Sequence, residues 1–138
     1  MSCIFCQIAS GEIPSHRIAE SERAIAFLDI NPGAIGHVVV AARAHAANLH
    51  EISADDLAAC AILAQEVAAR LSERLDCDGV SIVQSNGAAA GQTVFHYHVH
   101  VIPRDEGDSL RTMWQPTHPD AGSLAAIETR LTAPQPAP

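Results

Sequence analysis

The spacing of apolar residues changes along the chain, and the changes divide it into elements. From residue 53 to 75 they recur every three or four positions, at Leu57, Cys60, Ala64, Val67, Leu71 and Leu75. That spacing gathers them on one face of a long helix. Ser53 with Asp56 three residues on is an acidic variant of a capping box, and Ile52 is placed to staple onto Leu57. Asp55 and Asp56 suit the positive end of the helix dipole. The pattern stops near residues 76–79. Elsewhere the runs are short and extended. Residues 16–20 and 23–30 read as two strands, closed by the turn Asn31-Pro32-Gly33. Residues 36–42 are almost continuously apolar, which predicts a central strand buried on both faces. Residues 80–85 form the next strand and 94–102 the last, the latter all β-branched, aromatic or His apart from its alternation. The small-residue loop 86–91 makes these two antiparallel neighbours. Residues 45–49 read as a short helix and 123–131 as a final one. The sum is an α+β domain: a meander-like, mostly antiparallel sheet with one long helix packed on it. Residues 1–131 form the single domain, and the Pro/Ala-rich residues 132–138 a loose tail.

Composition narrows the function. With 48% hydrophobic residues in 138, the chain buries one real core. Eight Lys+Arg against 16 Asp+Glu give a formal charge of −8. An acidic chain without a basic run suits neither nucleic acid nor an anionic membrane. Any phosphate must be held locally, by backbone N–H groups and imidazoles. The N-terminus has no basic region and no apolar run of signal-peptide length, and no stretch approaches the ~18 apolar residues of a membrane span. A cytoplasmic protein is expected. Its four cysteines, Cys3, Cys6, Cys60 and Cys77, are then reduced, metal-bound or buried. Cys60 sits on the apolar helix face and reads as core. The Cys3-x-x-Cys6 pair is open to redox, metal-binding or incidental readings, and no βαβ unit supports a thioredoxin-like one.

The candidate chemistry centres on Gly91 to Arg104. Strand alternation puts His96, His98 and His100 on one face and Phe95, Tyr97, Val99 and Val101 on the buried one. Pro103 lacks an N–H, so it marks a strand end or an edge position. Three imidazoles in a row admit two chemistries: a catalytic metal on a His₃ site, or one nucleophile with two helpers. Asp29 ends a strand before a tight turn. Its carboxylate either accepts from both hydroxyls of a ribose diol or caps its own turn. Asn86, Gln92 and Thr93 flank the small-residue loop, where amides, hydroxyl and backbone N–H groups suit a phosphoryl group. Gly87 and Gly91 permit close backbone approach.

The segment A-G-Q-T-V-F-H-Y-H-V-H-V-I-P-R resembles the defining motif of the histidine triad (HIT) hydrolases and transferases, and the likeness extends over about residues 3–104. The resemblance implies the same fold and assigns roles. Asp29 is the ribose ligand, with Phe27 and Ile30 at the base and Ile13 and Ile18 as lesser candidates. Asn86 (or Ser85), Gln92 and Thr93 serve the phosphate end. His98 is the nucleophile at the α-phosphorus and forms a nucleotidyl-imidazole, which water then hydrolyses. His100 bonds phosphate oxygens or helps protonate the leaving group, and no catalytic metal is required. One bacterial branch joins an N-terminal C-x-x-C to the His after the central strand and to the first triad His. That implies structural zinc at Cys3, Cys6, His45 and His96, although the typical P-K-x-H here reads Ala42-Arg43-Ala44-His45. The family also implies a homodimer built on the long helix and an adjacent strand. The implied substrate is a purine nucleotide phosphoramidate or dinucleoside polyphosphate. Two alternatives stand beside this reading: a non-catalytic nucleotide-binding or signalling protein with the same pocket, and a metal-dependent enzyme using all three triad histidines as ligands.

Overall fold

The structure is a computed structural model that describes residues 3–111 and 114–135. In chain order the elements are α1 (Ile4–Ser10), β1 (Arg17–Glu20), β2 (Ala24–Leu28), β3 (Val38–Ala42), α2 (Ala54–Leu75), β4 (Gly79–Val83), β5 (His98–Arg104) and α3 (Ala121–Thr132). A single 3₁₀ turn, Ala88–Ala90, interrupts the loop before β5. The five strands make one sheet in the order β1-β2-β3-β5-β4, every neighbour antiparallel. This is the α+β architecture read from the sequence.

Alternation along the strands builds two apolar layers. Ala24 and Ala26 of β2, Val38, Val40 and Ala42 of β3, and Val99 and Val101 of β5 face α2. There they meet Cys60, Leu63, Ala64, Val67 and Leu71. The intervening residues Ile25, Phe27, Val39 and Ala41 face the other way and pack on Phe5 and Ile8 of α1. Strand β3 is therefore buried on both sides, as its continuous apolar run requires. Ser53 Oγ accepts from Asp56 N–H at 3.1 Å and caps α2, and the helix ends at Asp76 in a left-handed conformation. Gly36, at φ +92, sits under that end. A Cβ there would collide with Leu75 Cδ1 and lie 3.3 Å from Pro103 Cγ, so no side chain fits. Leu75 itself is 46% exposed, unlike the buried face expected for it, and Leu63, which that face had not included, is buried.

Two local expectations are corrected, a first helix is added, and Pro103 keeps its edge reading. Cys6 lies in a helix, α1, with Cys3 as its N-cap; Ile4, Phe5 and Ile8 have helical spacing, and left-handed Gly11 closes the end. Residues 45–49 are not helical. Their backbone groups bond elsewhere: Ala46 C=O accepts from Tyr97 N–H, Ala47 N–H donates to Glu51, and Leu49 N–H donates to Asn86. The last strand begins at His98, not at residue 94, so His96 precedes the ladder and Phe95 is half exposed rather than buried. Strand β5 also runs past Pro103, which pairs with Val80 of β4. The β3 ladder has ended at Val101, so Pro103 has a strand on one side only, as an edge position allows. The final helix forms as expected, capped by Asp120. Thr132, given above to the tail, is the last residue of that helix, and residues 136–138 of the expected tail lie outside the described part. Among the described residues no helix is long and apolar enough to cross a membrane.

Candidate active site

His98 and His100 project from β5 on the face away from α2, opposite Ala41 and Val39 of β3. They form one wall of a cavity of about 360 Å³. Its other walls are Ile4, Phe5 and Ile8 of α1, Ile13 after it, Phe27 at the end of β2, Asp29 and Ile30 in the following turn, and Thr93 and Val94 before β5. One end is apolar and the other carries imidazoles and a carboxylate. A small ligand with a flat apolar part and a polar, hydrogen-bonding part fits that division.

The hydrogen bonds assign a proton to each ring. His98 Nδ1 lies 2.7 Å from the His96 carbonyl. Only an N–H can bond a carbonyl, so Nδ1 is protonated and Nε2 carries the lone pair. His37 Nδ1 accepts from Gly33 N–H at 2.9 Å, which puts the His37 proton on Nε2. That Nε2–H reaches His100 Nδ1 at 2.9 Å. Neutral His100 therefore carries its own proton on Nε2. Asp29 completes the group: its Oδ1 accepts from Asn31 N–H at 2.8 Å, the turn-capping bond, and its Oδ2 lies 3.5 Å from His37 Nε2 and 3.8 Å from His100 Nδ1. Burial lowers the pKa of His37 and of His98. Burial first, then the neighbouring His98 and His37, bring His100 down from 6.5 to about 4 against the pull of Asp29. The rings are held neutral, as a nucleophilic imidazole must be.

His96 belongs to a different group. Its Nε2–H donates to the Ala42 carbonyl at 2.6 Å, which leaves Nδ1 as the lone-pair nitrogen. That Nδ1 lies 3.4 Å from Cys3 Sγ and 3.5 Å from Cys6 Sγ, and His45 Nδ1 is 3.5 Å from Cys6 Sγ. The four donor atoms lie within 4.8 Å of one another. Two thiols and two imidazoles, one oriented by a backbone carbonyl behind it, suit a tetrahedral zinc ion. Burial and the adjacent Cys3 raise the Cys6 pKa, and a cation among the sulfurs reverses that effect by favouring the thiolate. A second convergence joins Asp29, His37 and His100. Among the described residues neither group contains all three triad histidines. The reading in which they share one metal fails because His96 turns away towards the thiols.

The structure thus gathers His98, His100, Phe27, Asp29, Ile30 and Thr93 at one cavity, and Cys3, Cys6, His45 and His96 at another point. Asn86 and Gln92 stay off the cavity wall. Asn86 Oδ1 accepts from Leu49 N–H and Gln84 Nε2–H. Gln92 Oε1 accepts from Gly87 N–H, while its Nε2 donates to the Ala47 and Val94 carbonyls. Both amides shape the loop from within. Ile13 lines the cavity, but Ile18 packs on the α2 side of the sheet. Sequence reasoning missed His37, Ile4, Phe5 and Ile8. The signal for His37 was a histidine at the mouth of an otherwise apolar central strand, four residues after Gly33.

The HIT domain family matches residues 10–107, and the chain belongs to the HIT family. Three relatives show how far the likeness reaches. The adenosine 5'-monophosphoramidase HNT1 of Saccharomyces cerevisiae is 38% identical over 133 residues, 96% of this chain and 82% of the yeast protein. A crystal structure of a HIT family member from Bacillus subtilis is 32% identical and matches with a TM-score of 0.89 over 100% of both chains. A zinc-bound histidine triad family protein from Mycobacterium smegmatis is 39% identical, with a TM-score of 0.77 over 97% of this chain and 99% of that one.

Proposed function

We propose that this protein is a nucleotidyl hydrolase or transferase that cleaves at the α-phosphate of a purine nucleotide conjugate, a phosphoramidate or a dinucleoside polyphosphate, with His98 as covalent nucleophile. The observation that carries the reading is the tautomer of His98. The His96 carbonyl holds its Nδ1–H at 2.7 Å, so the ring nitrogen left to attack phosphorus is Nε2, on a histidine that lines the cavity. The monophosphoramidase activity named for the yeast relative favours a phosphoramidate.

In this reading the base lies between Phe27, Ile30 and the α1 residues, and the Asp29 carboxylate takes the ribose hydroxyls. His98 Nε2 bonds to the α-phosphorus as the bond to the leaving group breaks. His100 Nε2–H bonds a phosphate oxygen or meets the departing atom, and Thr93 with the loop backbone adds donors for the developing charge. Asn86 and Gln92 act by holding that loop in shape. Water then attacks the nucleotidyl-imidazole, releasing the nucleoside monophosphate and neutral His98. A non-catalytic binding role is the weaker reading, since nothing in it calls for a neutral, oriented His98.

Zinc at Cys3, Cys6, His45 and His96 is structural here, and the reduced thiols it needs fit a cytoplasmic setting. A homodimer is supported by an unpartnered apolar face. Ile82 of the edge strand β4, 53% exposed, lines a groove with Ala61 and Ala68 of α2 and with Tyr97. Rapid quench of a radiolabelled adenosine phosphoramidate on the whole protein tests the mechanism. The expected result is an acid-labile, base-stable nucleotidyl adduct, absent from His98→Ala. Turnover by His98→Ala at the parent rate overturns the assignment.

A further inference from the structure

The thiol–imidazole centre and the cavity meet on the same few residues. Helix α1 carries Cys6 and is preceded by its N-cap, Cys3, while Ile4, Phe5 and Ile8 of the same helix form a cavity wall. At seven residues α1 is too short to hold itself together, and Phe5 and Ile8 are its only buried side chains. The Phe5 ring stands edge-on to two histidines at once, 5.9 Å from His96 and 5.0 Å from His98 between ring centres. His96 is fixed at three points: Nδ1 at the thiols, Nε2 on the Ala42 carbonyl, and its own carbonyl on His98 Nδ1–H. The cleft beside the thiols and the nucleotide cavity share Ile4, Thr93 and Val94 as a common wall.

A group that binds at Cys3 and Cys6 therefore fixes the wall against which a nucleotide packs, and it fixes the residue whose carbonyl sets the His98 tautomer. We propose that the metal centre and the nucleotide cavity are one cooperative unit: zinc at Cys3, Cys6, His45 and His96 tightens nucleotide binding, and bound nucleotide tightens zinc, with α1, Phe5 and the His96 peptide as the link. This rests on the reading of the cavity as a nucleotide site and of the four ligands as a zinc site. Phe5 is then a positioning residue as well as a wall. Linkage makes the two effects the same factor, on the order of tenfold.

The test measures that factor from both directions on the full chain. AMP affinity is measured by equilibrium dialysis on zinc-loaded and on chelator-stripped protein, with circular dichroism to follow the fold. Zinc affinity is measured by competition with a chromogenic chelator, with and without saturating AMP. The expected result is AMP binding about tenfold weaker without zinc and zinc binding tighter with AMP by the same factor. Phe5→Ala keeps all four ligands but lacks the link, so its factor drops to near one. AMP binding that is indifferent to zinc in a folded stripped chain overturns the proposal. If stripping unfolds the chain, Phe5→Ala decides: a factor near one supports the local link, and an undiminished factor overturns it. Failure of the zinc-loaded protein to bind AMP at all is a separate outcome, because it removes the nucleotide reading on which the coupling stands.

Discussion

His96 and His98 are two residues apart, share a side chain, and end in different chemistry. The backbone decides which ring nitrogen each keeps. The Ala42 carbonyl takes the Nε2 proton of His96, so its bare Nδ1 faces two thiols. The His96 carbonyl takes the Nδ1 proton of His98, so its bare Nε2 is left for the cavity. His100 differs again, because its Nδ1 is occupied by His37. Three residues of one type gain three roles from three neighbours, and the tautomer rather than the residue type carries the assignment.

The largest effect expected is on chemistry alone. His98→Ala should lower hydrolysis by several orders of magnitude while AMP still binds and the melting temperature stays close to the parent value. His100→Ala should be milder. Loss of a proton-handling group costs about 10²- to 10⁴-fold, with the larger loss on poor leaving groups. Steady-state rates on a leaving-group series separate the two, and equal losses for His98→Ala and His100→Ala would dissolve the distinction between them.

On the other side of the comparison the effect should be on the fold. Cys6→Ser or His96→Ala should cost several kcal/mol of stability, of the ~10 kcal/mol scale of structural zinc binding, because binding that metal is part of folding. Chemical denaturation with elemental analysis checks it. A parent-like midpoint for Cys6→Ser, or well under one zinc per chain in the parent protein, removes the zinc centre. If His96→Ala instead kept its stability and lost only turnover, the two corners would be one catalytic site.

These roles were only partly legible in the sequence. The cap at Ser53, the apolar face of α2 and the doubly buried β3 follow from local rules, and each formed where the residues placed it. The triad and Asp29 were visible as residue types at a spacing. Hidden were the features set by residues distant in the chain. Residue 42 is 54 positions from His96 and residue 37 is 63 from His100, so no local pattern discloses either bond. Alternation carried past its limit put His96 in the strand, whereas it lies just before the ladder and can turn to Cys3 and Cys6. Helix α1 was missed because seven residues give too few repeats of an apolar period. Asn86 and Gln92 have the right chemistry for phosphate, and four backbone donors or acceptors of the surrounding loops use it first.

A smaller change sharpens the assignment of His37. His37→Phe keeps the ring volume and removes the Nε2–H that points at His100 Nδ1. His100 is then free to carry its proton on either nitrogen. About a tenfold fall in kcat is expected, with KM for the nucleotide conjugate nearly unchanged, since positioning is lost and the cavity wall is not. A rise in KM with kcat intact would make His37 a binding residue.

The smallest effect is a displacement along the pH axis. His100 faces His98 on its own strand, His37 at the start of β3, and Asp29 after β2. Burial, then His98 and His37, lower its pKa from 6.5 to about 4, with Asp29 opposing. Burial lowers His37 in the same direction. A depressed folded-state pKa means that the unfolded chain binds protons which the folded chain refuses. The stability these neutral rings allow is therefore present above 6.5 and is lost as pH falls from 6.5 towards about 4. Activity follows the folded-state value. The acid limb of kcat/KM should lie well below 6.5, and turnover at pH 5.5 should stay close to that at pH 7 while the melting temperature has already begun to drop. In Asp29→Asn the opposing carboxylate charge is gone, so protonated His100 is less favoured and the limb moves further to acid. An acid limb at 6.5 in the parent protein, unmoved by Asp29→Asn, would mean that the ring controlling the reaction is solvated rather than buried, and would take His100 out of the catalytic cavity.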